Sequence, residues 1–178
     1  MTDTNWLANA NCAGSDTTFW FPNRHTEYSP AYLICAGCTV RRQCLEDDLH
    51  TIVEEGGLGI RAGLIPHALR HLRRMLQHER NDRNTLISIA TREHQTLDAI
   101  AKLTAAHELK EKDFLTDFTG TVYKVHSRSD GDDQVILTLI RPDAYKTERR
   151  WTIPVRPGTN FWLMTIKPTL PKRPKRKR

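Results

Sequence analysis

The chain has 178 residues, with 27 Lys and Arg against 21 Asp and Glu, a formal charge of +6 and a mean hydropathy of -0.57. That length suits one or two small domains, since an autonomous core can form from about 50 residues upward. No apolar run approaches the roughly 18 residues of a membrane span and no N-terminal stretch has the form of a signal peptide, which argues against a membrane role and predicts a cytoplasmic protein.

The net charge is localised. Residues 171–178 hold six of the basic residues and no acid, so the rest of the chain carries 21 of each sign. Residues 1–56 hold three basic and eight acidic residues, residues 57–80 five and one, and residues 81–170 thirteen and twelve. The acidic N-terminal region is repelled by phosphate and is better suited to docking a basic protein surface.

In chain order, residues 1–56 begin with a turn-rich stretch (Asn5, Asn9, Asn11, Gly14, Ser15, Asp16) and an aromatic-proline knot, Phe19-Trp20-Phe21-Pro22. Ser29-Pro30 is an N-cap and first-turn proline, predicting a short helix through Cys35. A second helix is expected over Val40–Val53, with Leu45, Leu49, Ile52 and Val53 on one face and Cys44 one residue off that stripe. It stops at Glu54-Glu55-Gly56-Gly57-Leu58-Gly59, where glycines supply a C-cap and positive backbone dihedrals, and the chain continues as Ile60-Arg61-Ala62-Gly63-Leu64. From Pro66 a basic amphipathic helix is predicted, with His67, Arg70, His71, Arg73, Arg74, His78 and Arg80 facing away from Leu69, Leu72, Met75 and Leu76. The histidines there have no carboxylate to complete a zinc motif and read as a solvated face.

Residues 81–113 read as a helical connector of one or two helices. Within it, Thr96 to Thr104 has the pattern of the first helix of a helix-turn-helix, a pattern that core packing also produces. After Asp113 the code changes. Phe118–Val125, Val135–Ile140, Arg150–Val155 and Phe161–Ile166 are rich in β-branched and aromatic residues between turn signals at Ser129-Asp130-Gly131-Asp132 and Pro157-Gly158, predicting a small antiparallel sheet or barrel. Tyr123, Trp151, Phe161 and Trp162, with Arg149, Arg150 and Arg156, have the composition of a nucleic-acid-binding sheet, but burial favours the aromatics as core. The expected fold class is therefore α+β: a helical domain over 1–80, the connector over 81–113, an antiparallel β domain over 114–168 and a disordered basic tail over 169–178.

The chemistry lies in the cysteines. The chain has four: Cys35-x2-Cys38-x5-Cys44, and Cys12, which precedes Cys35 by 22 intervening residues. Clustered thiols in a reducing compartment are metal ligands or redox groups more often than disulfides. Four thiolates suit a cubane iron-sulfur cluster. Zinc accepts the same donors but usually from two Cys-x-x-Cys knuckles, and the second is missing. Thioredoxin-like exchange calls for a strand before Cys-x-x-Cys, and none is predicted before Cys35. Spacing alone leaves iron-sulfur, zinc and redox use open.

With these motifs in place, the stretch from Trp6 to Arg74 resembles the WhiB-like iron-sulfur transcription regulators of actinobacteria and their phages. The shared features are a tryptophan six residues before the first cysteine, the aromatic-aromatic-Pro element, Cys-x2-Cys-x5-Cys, a leucine directly after the last cysteine, a glycine-rich turn and a basic helix. The resemblance implies that Cys12, Cys35, Cys38 and Cys44 hold a 4Fe-4S cluster sensitive to oxygen or nitric oxide. It further implies docking on the C-terminal domain of the primary sigma factor, DNA contact by basic residues further on, and no catalysis. Candidate partner contacts are Trp6, Trp20, Phe21, Ile60 and Arg61, with packing a competing role for Trp20 and Phe21. The family's turn usually reads Gly-Ile/Val-Trp-Gly-Gly; here Gly59-Ile60-Arg61-Ala62-Gly63 places a charge where the partner-facing tryptophan stands. Likewise Ile65-Pro66-His67-Ala68 keeps only the proline of the usual Thr-Pro-Glu-Glu, and nothing in the family pattern accounts for the β region.

The candidate DNA contacts are Arg70, Arg73 and Arg74 on the basic helix, and Lys172, Arg173, Lys175, Arg176, Lys177 and Arg178 in the tail. The tail prolines forbid a helix and leave an extended arm for phosphates or a minor groove. It lacks the glycine of an AT-hook, so phosphate affinity with weak sequence choice is expected. The rival functions are a structural zinc module in a nucleic-acid-binding protein and a thiol-disulfide oxidoreductase using the metal-free cysteines.

Overall fold

A computed structural model describes residues 4–21, 29–50, 59–77, 82–92, 97, 100–142 and 149–168. Residues 51–53 of the Val40–Val53 prediction, the glycine pair Gly56-Gly57, His78, Arg80, residues 96, 98 and 99 of the Thr96–Thr104 motif and the whole basic tail lie outside the described residues. No described helix is long and apolar enough to cross a membrane.

Among the described residues four α-helices precede six strands: α1 Ser29–Ala36, α2 Arg41–His50, α3 Pro66–Leu76, α4 Arg83–Thr91, then β1 Ala101–Ala105, β2 Phe114–Thr116, β3 Val122–Asp130, β4 Val135–Arg141, β5 Arg149–Val155 and β6 Asn160–Met164. The mixture of helix and antiparallel sheet fits the expected α+β class. Two short 3-10 turns, Thr4–Asn9 and Thr17–Trp20, flank Cys12.

The expected helical connector changes character partway. Helix α4 starts as its sequence suggests, with the Asp82 side chain accepting from the Thr85 amide at 2.8 Å. It ends at Arg92, which adopts a left-handed φ of 55° and donates from Nη1 to the Phe118 carbonyl at 2.7 Å. Residues 101–105 then form a strand, not the helix expected there, because each finds a partner in β6, from Ala101 opposite Met164 to Ala105 opposite Asn160. Long-range pairing overrides the helix preference of an Ala-Lys-Leu-Thr-Ala stretch.

The sheet order is β1-β6-β2-β3-β4-β5, all antiparallel. Strands β2 to β5 form a meander, and β6 returns to lie between β1 and β2. Strand β3 begins at Val122 instead of Phe118 because residues 117–121 are taken up by a turn organised by Asp117, a buried residue 1% exposed. Its carboxylate accepts from the amides of Thr119 (2.8 Å) and Thr121 (3.1 Å) and from the Tyr123 hydroxyl (3.0 Å).

Three apolar clusters result. The largest combines Leu33 and Ile34 of α1 with Leu115, Tyr123, Leu137, Ile153, Phe161 and their neighbours, so the first helix is buried against the sheet. A second joins Leu45, Leu69, Leu72 and Ile87 across α2, α3 and α4. The third, around Ala31, Cys35 and Ile60, receives Trp20, Tyr32 and Phe118 from outside. Tyr123 and Phe161 are core residues and Trp151 packs edge-on against Tyr123 at 5.9 Å, which is the packing role that burial favoured for the sheet aromatics.

Candidate metal centre

The cysteines sit in different local structures. Cys12 sits in consecutive tight turns in which Ala13 N–H bonds the Ala10 carbonyl and Ser15 N–H the Cys12 carbonyl, both at 3.0 Å. Cys35 lies in the last turn of α1, and Cys38 N–H closes back on the Cys35 carbonyl at 3.2 Å. Cys44 is in the first turn of α2, its amide bonded to Val40 at 3.0 Å. The four converge on one pocket of about 270 Å³, its solvent mouth included, whose remaining wall comes from Ala10, Asn11, Ile34, Arg41 and Ala62. Among the described residues no group of three or more His, Cys, Asp or Glu side chains is placed to hold one metal ion; what the four thiols share is the pocket they line.

Ala62 belongs to the turn Arg61–Leu64. Arg61 N–H bonds the Leu64 carbonyl at 3.1 Å and Leu64 N–H the Arg61 carbonyl at 2.7 Å, with positive φ at both Ala62 (50°) and Gly63 (80°). Positive φ at both central positions is the primed turn geometry that glycine accepts freely and alanine does not. At Gly63 a Cβ would also meet the Phe118 ring at 2.5 Å.

Burial sets the electrostatics. It pushes the Cys35 thiol well up, with further elevation from neighbouring Cys44, Cys38 and Cys12. Burial likewise raises Cys12, with Cys38 adding to it, and carries Cys44 up to about 11 against a lowering hydrogen bond from Ala62. Mutual elevation among thiols is what a cationic group at their centre would reverse. It also runs against thiol-disulfide catalysis, which requires a depressed thiol pKa.

A pH dependence of the metal-free protein follows. For Cys44 the folded value of about 11 lies above the ordinary thiol value of 9.0, so its stabilising contribution is full below about pH 9 and is lost as pH rises toward 11. Denaturant midpoints of metal-free protein should fall across that window, and the decline should shrink in Cys44→Ser. A flat profile from pH 8 to about 11 would contradict the raised thiol.

The candidate partner residues divide. Ile60 is 4% exposed and faces the core, while Trp20 is half-buried between two apolar clusters, its carbonyl accepting from Ile60 N–H at 3.0 Å. Trp6 is half-buried, and Phe21 (53%) and Leu7 (48%) are exposed. The Arg61 side chain is 57% exposed, and its Nε lies 3.8 Å from Asp48. Of the candidate DNA contacts on α3, Arg70 and Arg74 are exposed, whereas Arg73 turns inward and donates from Nη2 to the Asp48 carboxylate (2.9 Å) and carbonyl (2.8 Å). Sequence reading missed Asn11, Gly37, Phe118 and Asn160, which frame the site through contacts between distant segments; only Gly37, inside the Cys35–Cys38 spacing, carried a local signal.

A profile of the family described as Transcription factor WhiB matches residues 6–72. Transcriptional regulator WhiB2 of Mycobacterium tuberculosis, in strains ATCC 25618 / H37Rv and CDC 1551 / Oshkosh, is 35% identical over 69 residues, covering 39% of this chain and 74% of the relative. No solved structure matches. The protein is thus a transcriptional regulator and not an enzyme. The chain belongs to the WhiB family.

Proposed function

We propose that the protein is a transcription regulator whose four cysteines hold a 4Fe-4S cluster, and that the cluster-bearing helical unit docks on a sigma factor while basic residues contact DNA. The observation that carries this reading is the convergence of all four cysteines on one pocket. Four thiolates lining one pocket suit a polynuclear group in which each thiolate takes a different iron. A single zinc would need all four sulfurs drawn to about 2.3 Å of one ion. When bound, the cluster supplies an oxygen- or nitric-oxide-sensitive group. The protein's own residues shield it: Cys35 is 8% exposed, and Trp20 and Phe118 pack against the cluster of apolar residues that contains it.

Division of labour follows from charge. The acidic region of residues 1–56 faces a protein, with Phe21 as its exposed candidate and Arg61, on the turn that follows it, as a second; the DNA contacts are Arg70 and Arg74 with the basic tail. Anaerobically purified protein should show iron-thiolate absorbance with iron and sulfide in equal amounts; one zinc per chain without iron would select the zinc rival. Deleting residues 171–178 should flatten the log-log salt dependence of duplex binding by several units, about 0.9 per phosphate released. An unchanged slope would shift the DNA site to α3.

A further inference from the structure

Cys12 is far from the other cysteines in sequence, so something other than local structure must hold it at the pocket. Asn11, beside it, is 4% exposed, and its side chain joins three segments. Nδ2 donates to the Ile34 carbonyl at 3.1 Å and to the Asn160 carbonyl at 2.8 Å, while Oδ1 accepts from the Asn160 amide at 3.2 Å. The Asn11 amide thus pairs with the first residue of β6 as a neighbouring strand would and, with its other N–H, satisfies one of the orphan carbonyls at the end of α1. Beside it Thr159 Oγ1 donates to the Asn11 carbonyl at 3.4 Å, and Arg156 Nη2 to the carbonyls of Ala8 (3.2 Å) and Ala10 (2.7 Å). On the other cysteine segment, Trp162 Nε1 donates to the Ala36 carbonyl at 2.9 Å. A buried amide costs free energy unless its donors and acceptor are met, and here they are met from α1 and β6.

We propose that Asn11 is the positioning residue for Cys12, and that β6, which lies beyond the region matched by the family, is the wall on which this ligand is hung. The proposal rests on the reading that the four cysteines hold a metal group. Asn11 does not touch the group; it fixes the backbone from which Cys12 reaches the pocket. Trp162 does the same for the Cys35–Cys38 turn, so the two bonds have separable consequences.

The test is thiol protection in full-length, anaerobically loaded protein, with iodoacetamide labelling followed by peptide mass. Asn11→Asp keeps the shape but replaces two N–H donors by carboxylate oxygen facing two carbonyls. It should release Cys12 to labelling about ten-fold faster than wild type, the loss typical of a disturbed ligand support, before Cys35, Cys38 or Cys44 reacts. Trp162→Phe removes the bond to Ala36 together with part of the ring, leaves the Asn11 bonds in place and should release Cys38 ahead of Cys12. If Asn11→Asp labels all four together, Asn11 serves general stability; if Cys12 stays as protected as in wild type, Asn11 does not hold it. Either result overturns the proposal. Wild-type protein that shows neither bound metal nor protection of any cysteine would instead overturn the metal reading beneath it.

Discussion

Gly37→Ala is expected to unseat β6 from the cysteine turn, at a cost on the order of 4 kcal/mol, the upper range for a single substitution. A Cβ at residue 37 would lie 2.1 Å from the Asn160 carbonyl oxygen, 2.7 Å from its carbon and 3.1 Å from the Phe161 Cα. All three are backbone atoms of a strand hydrogen-bonded on both sides, so no side chain can swing away. Gly37 is not among the glycines with positive φ, which makes the effect one of space alone. For a chain of this size the melting temperature should drop by about 10 °C, and iron loading should fall with it because residue 37 lies between two ligands. Gly120→Ala is the contrasting control: with φ of 79° and no atom within 4 Å of its would-be Cβ, it should cost only about 1 kcal/mol of backbone strain. Equal melting temperatures for the two variants would contradict the close approach.

What was legible in the sequence was local. The proline at the start of α1, the leucine spacing of α3 and the β-branched and aromatic runs of β3 to β5 each specify themselves within a few residues. The cysteine spacing and its flanking aromatics pointed to the site for the same reason. Strand β1 was hidden because its partner lies about 60 residues away in β6, and β2 because three residues show no periodicity. Nor could composition show that Leu33 and Ile34 would face the sheet, which is how strands with no counterpart in the family pattern come to lie beside the cysteine pocket. Arg73 shows a contact that composition does not reveal. Its place on a basic helix suggested DNA, but Asp48 on α2 claims its guanidinium.

The link between sheet and cysteine site should appear as coupling between Asp117 and Phe118. Phe118 projects from the turn that Asp117 organises, and its ring lies between the guanidinium carbons of Arg41 at 4.8 Å and Arg92 at 4.9 Å, edge-on to Tyr32 at 5.8 Å. Phe118→Ala should cost about 3 kcal/mol, combining a half-buried ring with two cation-aromatic contacts. Asp117→Ala should cost a similar ~3 kcal/mol by leaving two amides and a buried hydroxyl unmet. Because the second change also releases the ring that the first removes, the double variant should lose less than the sum by more than about 1 kcal/mol in denaturant unfolding of metal-free protein. Asp117→Asn retains an acceptor for both amides and should be milder than alanine by about half. Additivity within about 0.5 kcal/mol would mean that the turn and the ring act independently. Coupling of the expected size would make the Asp117 turn a mechanical support of the wall beside Cys35, joining the stability of the sheet to the geometry of the thiols.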